Sequence, residues 1–593
     1  MNSNIRKMYS SAFKSTRSGA LYNAFSYPTK ISPEVIAVFI AAHTKPGETV
    51  LDPFGGSGTT ALAAILCANP TPEVIKIAKE FEVDVVWGKR DVVLYEISTL
   101  GTLISKVMTN PPEPKKFIKE AEKLLSKTKK DIGWMYEAKD LEGNIGQIRH
   151  IIWSDVFICS NCGEEVSYWD SSVSTDPLEI KKDFCCTNCN AVLPMKDVER
   201  VLEDYYDPVV KKTLKQKKKR PQRVYGQTGS KKWVRDIQAE DNKLLKKIEE
   251  MIPEHFIPKE KIEWGDLYRA GYHEGVIYAH QFYTRRNLLV MSTLWGNIKH
   301  APSEFQDSLK LLVLSYNSSH STLMTRVVKK KKEKDFVLTG AQPGVLYISN
   351  LPVEKNILVG VARKIKTFFN AFLITYNSNS RVKIINSSST NMKELQSNSI
   401  AYIFTDPPFA DFIPYSEVNY LNEIWLGEVT EKSEEAIIST HQNKGINEYE
   451  QLMMDVFSEM SRVLKANKYA TVVFHSAKSS VWDSLSKAYS DSGFTLSTSS
   501  ILDKVQGSYK QVNSSNSVSG DPLLLLEKGV KSIGEAKVFE PREVVKEIVI
   551  KRGKIKKEHL YSYFVNFYLE NNSSVPLDAK DFYKLLENFY TGD

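Results

Sequence analysis

The chain has 593 residues, of which 42% are hydrophobic and 25% are charged, and its formal net charge is +8. This is the composition of a soluble globular protein, and the length favours roughly three or four domains. Six cysteines in so long a chain exclude a disulfide scaffold, so we expect a reducing, cytoplasmic setting. No run of about 18 apolar residues predicts a membrane span, and the first residues lack the apolar core of a signal peptide.

A helix, a strand and a glycine-rich turn follow one another near the start. The segment YPTKISPEVIAVFIAAHT, residues 27–44, predicts an apolar helix that begins at Pro33 with Ser32 as its N-cap. The segment KPGETVLDPFGGSGTTALAAILCA, residues 45–68, then predicts a short strand, a tight turn and a second helix. Glycines in such a turn let the backbone approach a ligand, and N–H groups at a helix N-terminus can bind a carboxylate or phosphate.

An acidic residue ends the next predicted strand. The segment DVVLYEIS, residues 91–98, is mostly apolar up to Glu96. A carboxylate at the tip of the second strand of an α/β sheet can accept hydrogen bonds from ribose hydroxyls. The alternative is a glycine-rich turn followed by a surface glutamate, with no ligand.

The segment between Glu96 and Asp406 is much longer than a connection within one compact sheet requires, and it contains two pairs of cysteines. We therefore expect residues 111–380 to be an insert. Within it, two C-x-x-C pairs predict a structural zinc ribbon at about residues 150–200, with the ligands Cys159, Cys162, Cys186 and Cys189. Cys185 could replace Cys186, although this breaks the spacing. A redox pair is the alternative, but it lacks a βαβ context.

The insert also contains basic segments. Residues 211–235 have eleven basic side chains and no acidic one, with Tyr225 and Trp233 interleaved. Such a run can neutralise phosphates without reading sequence, and the alternative is a solvated loop. Residues 327–334 are a weaker candidate. We place target recognition in this insert.

A further helix is predicted within the insert. It begins at Arg285, and Thr284 is its expected cap. Its basic start could contact nucleic acid through Tyr283, Arg285, Arg286 and Asn287. Packing inside the insert is the favoured interpretation of these residues.

A strand that ends in an acid, two prolines and an aromatic residue follows the insert. The segment AYIFTDPPFADFIPY, residues 401–415, ends its apolar run at Asp406, and Pro407, Pro408 and Phe409 come next. Taken alone, this is a strand that ends in a Pro-Pro turn with a core phenylalanine. Residues 469–476 and 520–529 predict two more strands, so we expect an α/β fold with a doubly wound, mostly parallel sheet.

The segments YPTKISPEVIAVFI, LDPFGGSGTT, LYEIS and FTDPPF together resemble the S-adenosylmethionine-dependent DNA amino-methyltransferases of the N6-adenine and N4-cytosine type. The resemblance covers roughly residues 20–105 and 380–530 and implies a Rossmann-like core. It implies that S-adenosylmethionine is held by Asp52, Phe54, Gly55, Gly56, Ser57, Gly58, Thr59, Thr60 and Glu96, with a looser match at Thr29 and Lys30. Ser388 or Ser389 stands where the family usually has an acid that contacts the adenine of the cofactor.

The resemblance assigns catalysis to Asp406, Pro407, Pro408 and Phe409. The exocyclic amine of a base is a poor nucleophile because its lone pair is delocalised into the ring. The Asp406 carboxylate and the Pro407 carbonyl can accept its two N–H hydrogens and free that lone pair, while Pro408 restricts the backbone. The Phe409 ring can stack on a base that is flipped out or already single-stranded.

The expected domain layout has four parts. These are an N-terminal half of the methyltransferase core at 1–110, the insert at 111–380, a catalytic half at 381–530 and a small helical C-terminal domain at 531–593. The last part looks like two helices of a basic module that contacts DNA or a partner protein.

These features predict a site-specific DNA methyltransferase that acts on N6 of a flipped-out adenine and carries structural Zn²⁺. We expect DNA as its partner, no membrane association, and restriction or phage-defence subunits by family habit. The first alternative is N4 of cytosine; in the resembling family an Asp before the two prolines goes mostly with adenine. The others are a tRNA guanine-N2 methyltransferase, which shares both motifs, and an inactive DNA-binding scaffold.

Overall fold

The computed structural model describes residues 3–10, 12–15, 18–181, 183–195, 198–340, 345–504, 520–529, 538–552 and 557–591. The chain forms two compact units. The first comprises Met1–Pro111, Asn370–Ser416 and Thr430–Asp593, and the second comprises Pro112–Phe369 and Glu417–Val429. The second unit overlaps the interval that we expected to be an insert.

The first unit is built on an eight-stranded sheet. In chain order its strands are β1 (Phe13–Ser15), β2 (Thr49–Asp52), β3 (Asp91–Tyr95), β4 (Val382–Ile385), β5 (Ile400–Thr405), β6 (Leu464–Val473), β7 (Phe494–Lys504) and β8 (Asp521–Lys528). They lie side by side in the order β1-β7-β8-β6-β5-β2-β3-β4. Neighbouring strands are parallel, except that β8 is antiparallel to both β6 and β7. The prediction of a mixed α/β fold with a mostly parallel sheet is confirmed.

Helices flank this sheet. Those of the first unit are Ser3–Met8, Ala20–Ala24, Pro33–His43, Thr59–Ala68, Pro72–Glu80, Thr99–Thr109, Ile446–Val463, Ser479–Asp491, Pro541–Arg552, Leu560–Glu570 and Ala579–Thr591, and the helices Ile357–Thr375 and Tyr415–Leu426 have residues in both units. Pro33 begins its helix as predicted. Ser32 occupies the N-cap position, but its hydroxyl donates to the Glu34 carboxylate instead of capping a backbone N–H group.

The strands β2 and β5 lie next to each other, although Pro112–Phe369 of the second unit lie between them in sequence. Val50 pairs with Tyr402 and Leu51 with Ile403, in parallel register. Every residue of β3 and β5 is buried, as expected of parallel strands covered on both faces. The carboxyl ends of β2, β3 and β5 therefore meet at one edge of the sheet, where α/β folds place their ligands.

The C-terminal helices pack on the sheet of the first unit. The Asn566 side chain donates to the Ser500 carbonyl of β7 over 2.9 Å, and the Ser562 hydroxyl donates to the Gly520 carbonyl over 2.6 Å. The buried rings of Phe564 and Phe582 share one apolar core with residues of β5, β6 and β8. Residues 531–537 and 553–556 of the expected C-terminal domain lie outside the described residues.

The second unit is built on an antiparallel sheet. Its seven strands are Glu137–Lys139, Ile145–Ile158, Glu165–Ser167, Glu199–Arg200, Lys219–Thr228, Lys231–Asp236 and Val353–Lys355. Two-stranded pairs are formed by Val173–Thr175 with Leu178–Ile180, Phe184–Cys185 with Val192–Leu193, Leu202–Asp207 with Lys212–Lys217, and Val327–Val328 with Val337–Leu338. The helices are Pro114–Ile132, Tyr168–Ser172, Ala239–Glu249, Arg285–Ile298, Ser303–Leu314 and Asn317–His320.

The basic run at residues 211–235 is mostly β-structure rather than a solvated loop. Its residues lie in three strands of the second unit. Tyr225 and Trp233, which we considered for nucleic-acid contact, are buried with 7% and 6% of their surface exposed. Lys217 is buried as well, and its ammonium lies 3.4 Å from the Asp155 carboxylate. These side chains stabilise the unit, and only the remaining basic residues of the run are left for a phosphate.

The helix Arg285–Ile298 starts as predicted. The Thr284 hydroxyl accepts from the Asn287 backbone N–H. Arg286 and Asn287 are buried: Arg286 pairs with Glu354, and the Asn287 amide donates to the carbonyls of His320 and Lys355. The packing interpretation of this helix start is therefore the one that fits.

Among the described residues, no single helix is long and apolar enough to cross a membrane. The helices Thr59–Ala68 and Pro72–Glu80 reach the length and apolar composition of a membrane span only when they are counted together, and the chain bends by 94° between them.

The ion pair of Arg286 and Glu354 should behave as one unit in stability measurements. Both side chains are 1% exposed, so Arg286→Met leaves a buried carboxylate without its partner. We expect the variant to lose about 3–5 kcal/mol of unfolding free energy. The double variant Arg286→Met with Glu354→Leu should recover most of it, and urea unfolding followed by tryptophan fluorescence measures both. If the double variant is as unstable as the single one, the pair is not the cause.

Candidate active site

The Asp52 carboxylate at the end of β2 joins three pieces of the first unit. One oxygen accepts from the Thr60 hydroxyl over 2.6 Å, and the other accepts from the Thr405 hydroxyl over 2.9 Å and from the Phe54 N–H over 3.1 Å. The side chain is 2% exposed. Burial raises the pKa of Asp52 to about 6, although these hydrogen bonds oppose the shift. Asp52 thus ties the glycine-rich loop and the following helix to the end of β5, directly before Asp406.

The glycine-rich loop after β2 has a conformation that requires glycine. Gly58 has φ +76°, and a Cβ there would lie 2.7 Å from the Ser105 hydroxyl and 3.0 Å from the Ser105 Cα. Gly56 has φ +50°. The loop is fastened to β3 by a hydrogen bond of 2.8 Å from the Gly55 N–H to the Tyr95 carbonyl. The helix Thr59–Ala68 then starts directly after the loop, as predicted.

Glu96 follows β3 and faces the same loop. Its carboxylate accepts from the Gly56 N–H over 2.5 Å and from the Ser98 N–H over 2.7 Å. Two backbone N–H groups thus fix the direction of this carboxylate, which also lines the cavity described below. The predicted acid is therefore positioned by the loop that the resemblance pairs it with.

Thr29 and Lys30 lie beside the glycine-rich loop, and their side chains form hydrogen bonds to other residues of the protein. Thr29 has φ +58°, which is rare for a β-branched residue and is typical of functional sites. Its hydroxyl hydrogen-bonds the Tyr415 hydroxyl over 2.8 Å. The buried Lys30 ammonium donates to the Leu21 carbonyl over 3.0 Å. Lys30 therefore helps to hold the helix Ala20–Ala24 beside the site.

The Asp406 loop is fixed from below by a buried tyrosine. The Tyr449 hydroxyl donates to the Pro408 carbonyl over 2.9 Å, and the Ala410 N–H donates to the same oxygen over 2.9 Å. Among the described residues, no donor bonds the Pro407 carbonyl. The loop thus holds the Pro408 carbonyl internally. The Pro407 carbonyl, which we predicted to be an acceptor, belongs to a buried residue that does not line the cavity described below.

Phe409 packs in the core rather than presenting a face. Its ring centroid lies 5.5 Å from that of Phe474 and 6.0 Å from that of His475, and the side chain is 7% exposed. This is the arrangement of a core phenylalanine after a Pro-Pro turn, which was the alternative interpretation. In this conformation Phe409 offers little surface on which a base could stack.

One cavity joins the two motifs. It has about 900 Å³ of empty space, counted with the open solvent at its mouth. Of the predicted residues it is lined by Thr29, Lys30, Phe54, Gly55, Gly56, Ser57, Thr59, Glu96, Asp406 and Pro408. Five predicted residues do not line it and instead support the residues that do: Asp52, Gly58, Thr60, Pro407 and Phe409. Ser387, Ser388, Ser389 and Thr390 supply hydroxyls at one side.

Carboxylates surround this cavity. Burial raises the pKa of Tyr415, and the charges of Asp406, Glu96 and Glu435 raise it further, which indicates that all three carboxylates lie near its hydroxyl. Glu435 is 2% exposed and accepts from the Ser416 N–H and the Ser416 hydroxyl. A cavity of this charge favours a cationic ligand.

Three residues at the cavity or the Asp406 loop were not predicted from the sequence: Tyr27, Glu435 and Tyr449. Glu435 lies in a polar stretch, EKSEEA, that reads as an ordinary surface segment. Tyr449 lies on the helix Ile446–Val463, where an aromatic residue reads as core. Tyr27 stacks on Tyr415 with ring centroids 6.0 Å apart. Only Tyr415 had a signal, because it lies in an aromatic-rich segment directly after the motif.

The four predicted cysteines come together in the second unit. The Sγ atoms of Cys159, Cys162, Cys186 and Cys189 all lie within 4.8 Å of one another. The pairs Cys159 with Cys189 and Cys162 with Cys186 are 3.7 Å apart. Tetrahedral zinc with Zn–S bonds of about 2.3 Å requires S···S distances of about 3.8 Å.

The surroundings of these sulfurs also suit thiolates. The Asn161 amide donates to the Cys189 sulfur, and this bond is the main cause that lowers the pKa of Cys189 to about 6. The Asn188 N–H donates to the Cys186 sulfur over 3.4 Å. Cys185 is exposed and lies outside the group, so Cys186 is the fourth member.

Comparison with known proteins agrees with the motifs. Residues 3–69 match the family model of N6- and N4-type enzymes that is described as DNA methylase. The match confirms, over that segment, the resemblance to the N6/N4 DNA methyltransferase family, and it supports a methyltransferase.

Two other comparisons add little. A solved structure titled "Crystal Structure of antibiotic-resistance methyltransferase Kmr" is 13% identical, covers 29% of this chain and 73% of that chain, and has a TM-score of 0.16. A TM-score this low carries no argument. The search of curated proteins gave no match.

The raised pKa of Asp52 should be visible in the pH dependence of stability. An unfolded Asp titrates near pH 4, so between about pH 4 and about pH 6 the folded chain keeps a proton that the unfolded chain releases. The stability of the native chain relative to Asp52→Asn should therefore fall as pH rises through this window, by about 2–3 kcal/mol.

Urea unfolding of both chains at several pH values measures this difference. An Asn side chain can still bond both threonine hydroxyls, so the variant is a matched control without the titrating group. Stability curves that stay parallel from pH 4 to pH 7 would mean that Asp52 titrates normally.

Proposed function

We propose that the protein transfers a methyl group from S-adenosylmethionine to the exocyclic N6 of an adenine in DNA. The observation that carries the proposal is the cavity shared by the glycine-rich loop, Glu96 and Asp406. Two motifs that the family uses together, and that lie far apart in sequence, line one space. The family match over residues 3–69 supports the same reaction class.

The residues present fit S-adenosylmethionine. When bound, this cofactor supplies an electrophilic methyl group on a sulfonium cation. The cluster of Glu96, Asp406 and Glu435 is complementary to a positive charge, and Glu96, which lines the cavity, would accept from the ribose hydroxyls. The hydroxyls of Ser388 and Ser389 would take the place of the family's acid beside the adenine ring.

The Asp406 loop would activate the amine. The Asp406 carboxylate would accept one N–H hydrogen and the Pro407 carbonyl the other, which draws the nitrogen lone pair out of the base ring. Tyr449 holds the loop through the Pro408 carbonyl, so these acceptors are fixed before the base arrives. The Phe409 ring would have to turn toward the cavity to stack on an extruded base.

Methyl transfer to N6 of adenine is preferred over the alternatives because Asp, not Ser, precedes the two prolines. Incubation with labelled cofactor and either genomic DNA or tRNA, followed by nucleoside mass spectrometry, separates N6-methyladenine, N4-methylcytosine and N2-methylguanine. Label in tRNA alone would overturn the DNA assignment. Cofactor binding with no transfer to either substrate would favour the inactive scaffold. Restriction or defence subunits remain a proposal from family habit.

Asp406→Ala should abolish transfer without removing the cofactor. We expect the methylation rate to fall by about 100-fold or more, because the variant loses an acceptor that acts in the transition state. Equilibrium dialysis should still detect cofactor binding, weakened by no more than about tenfold, since Asp406 is only one of three carboxylates that would lie near the sulfonium and Glu96, Glu435 and the loop are intact.

Asp411→Ala is the matched control for this variant. Asp411 lies on the same loop, but its carboxylate is exposed and pairs with Lys478 over 2.7 Å. It should retain most of the activity. Equal losses in the two variants would mean that the loop, and not the Asp406 carboxylate, is what the reaction needs.

We further propose that the four cysteines hold one structural Zn²⁺. Four thiolates saturate a tetrahedral ion and leave no position for a substrate, so the metal would stabilise the second unit and take no part in transfer. The pKa of Cys189, lowered to about 6, keeps its sulfur largely as the thiolate ligand at neutral pH.

Cys186→Ser should remove the metal, and Cys185→Ser should not. Elemental analysis of the purified chains should find about one zinc per chain in the native protein and in Cys185→Ser, and much less than one in Cys186→Ser. The two cysteines are adjacent and each variant replaces one of them by serine, so a difference in zinc content reports whether that cysteine is a ligand. Equal zinc content in both variants would refute the assignment.

A further inference from the structure

A second cavity, inside the second unit, is lined by an excess of cationic side chains. It has about 1540 Å³ of empty space, counted with the open solvent at its mouth. Arg149, Lys232, Lys355 and Arg363 line it, against the carboxylates of Glu333 and Asp335. These cations come from the central strand of the sheet, a neighbouring hairpin, the strand Val353–Lys355 and the helix Ile357–Thr375. Separate elements thus converge on one positive space.

The acids in this cavity do not neutralise the cations. Among the described residues, none of the four cations lies within 4.0 Å of a carboxylate. One Asp335 oxygen accepts from the Tyr225 hydroxyl over 3.1 Å and from the Phe336 N–H over 2.7 Å. The Lys355 ammonium donates to a neutral partner, the Thr325 hydroxyl, over 2.9 Å.

The cations instead repel one another. Burial lowers the pKa of Lys355 to about 8, and the nearby charge of Arg363 lowers it further. The pKa of Arg149 is lowered by the same two causes. Partly buried like charges with no counter-charge are costly unless an anion joins them.

A buried histidine in the lining of this space lacks hydrogen bonds from its ring. His320 is 1% exposed, and among the described residues neither ring nitrogen has a hydrogen-bond partner. Burial lowers the pKa of His320 to about 3, so its ring is neutral at physiological pH and carries one N–H donor. A Cβ on Gly360 would lie 2.1 Å from the His320 Nε2, so only glycine at that position admits the ring. An orphaned donor in a polar cavity indicates a missing acceptor.

Aromatic rings complete the lining. Tyr225, Trp233, Tyr316 and Phe336 border the same space as the cations. Three of these rings are at most 7% exposed, and Tyr225 is already stacked on His150, with ring centroids 4.2 Å apart. The rings therefore form the wall of the cavity, and the cations, which pair well with phosphate, are the groups left to hold a nucleotide.

We propose that this cavity binds the phosphate group of a nucleotide unit, through Lys355, Arg149 and Arg363, with His320 as an additional donor. The nucleotide is either free or part of a nucleic-acid strand, and the phosphate chemistry is the same in both. The site goes beyond the proposed methyl transfer, because its ligand does not require S-adenosylmethionine.

The test uses the full chain without S-adenosylmethionine and two probes. Isothermal titration calorimetry measures binding of 2′-deoxyadenosine 5′-monophosphate, and fluorescence anisotropy measures binding of a fluorescein-labelled DNA duplex at one fixed salt concentration. The variants are Arg363→Gln and its control Lys366→Gln. Both residues are exposed and lie on the helix Ile357–Thr375, both variants remove one positive charge, and only Arg363 lines this cavity.

Arg363→Gln should weaken at least one probe by about tenfold, the scale of a lost hydrogen bond to a charged group, while Lys366→Gln should change neither by more than about twofold. Loss of the mononucleotide alone identifies a free nucleotide, and loss of the duplex alone identifies a strand phosphate. The proposal is overturned if the native chain binds neither probe or if both variants lose affinity equally.

Lys355→Met provides a second variant at a buried position, and its circular dichroism spectrum shows whether it folds. If it folds, it should weaken the same probe as Arg363→Gln, and unchanged binding would count against the site. Methyl transfer by the native chain is scored separately with labelled cofactor. Failure of this inference and failure of the proposed function therefore give different results.

Discussion

The hydrogen bonds of the Asp52 carboxylate are the constraint on which the rest of the candidate active site depends. They join Thr60, at the start of the helix after the glycine-rich loop, to Thr405, at the end of β5. Because Thr405 precedes Asp406, the position of the motif acid is set by the same carboxylate that shapes the loop. The parallel pairing of β2 and β5 brings the strands together, and this buried group fixes how their ends meet.

A buried carboxylate can hold two loops together because its hydrogen bonds offset most of the free energy lost when it leaves water. Three donors reach its two oxygens, and a carboxylate held by several hydrogen bonds is stabilised against the loss of water. Burial is still the larger effect on its pKa. Asp52 does not line the cavity, and its hydrogen bonds to Phe54, Thr60 and Thr405 all serve to align the two loops. Glu96, in contrast, lines the cavity.

The two units differ in the direction of their strands, and the difference has physical consequences. The first needs a mostly parallel sheet, because parallel strands direct several loops to one edge. Its C-terminal helices cover β7 and β8 and continue the apolar core, so the sheet is buried by segments from both ends of the chain. The second unit is antiparallel and compact in sequence, and it accommodates many basic side chains by pairing some of them, such as Lys217 and Arg286, with buried acids. Four further cations, Arg149, Lys232, Lys355 and Arg363, line one cavity.

Local spacing and rigid residue types were enough to predict the α/β class, the glycine-rich turn and the grouping of the four cysteines, and to propose Glu96 and Asp406 as site residues. The sequence could not determine which motif residues face the cavity: Asp52 and Phe409 turn inward for reasons of packing with Thr405 and Phe474, which are distant in sequence. Nor could it show that Tyr225 and Trp233 are buried, since a basic run looks the same on a loop and on a strand. Only the tertiary structure decided these points, because burial and hydrogen bonding are properties of neighbours in space, and local pattern does not record them.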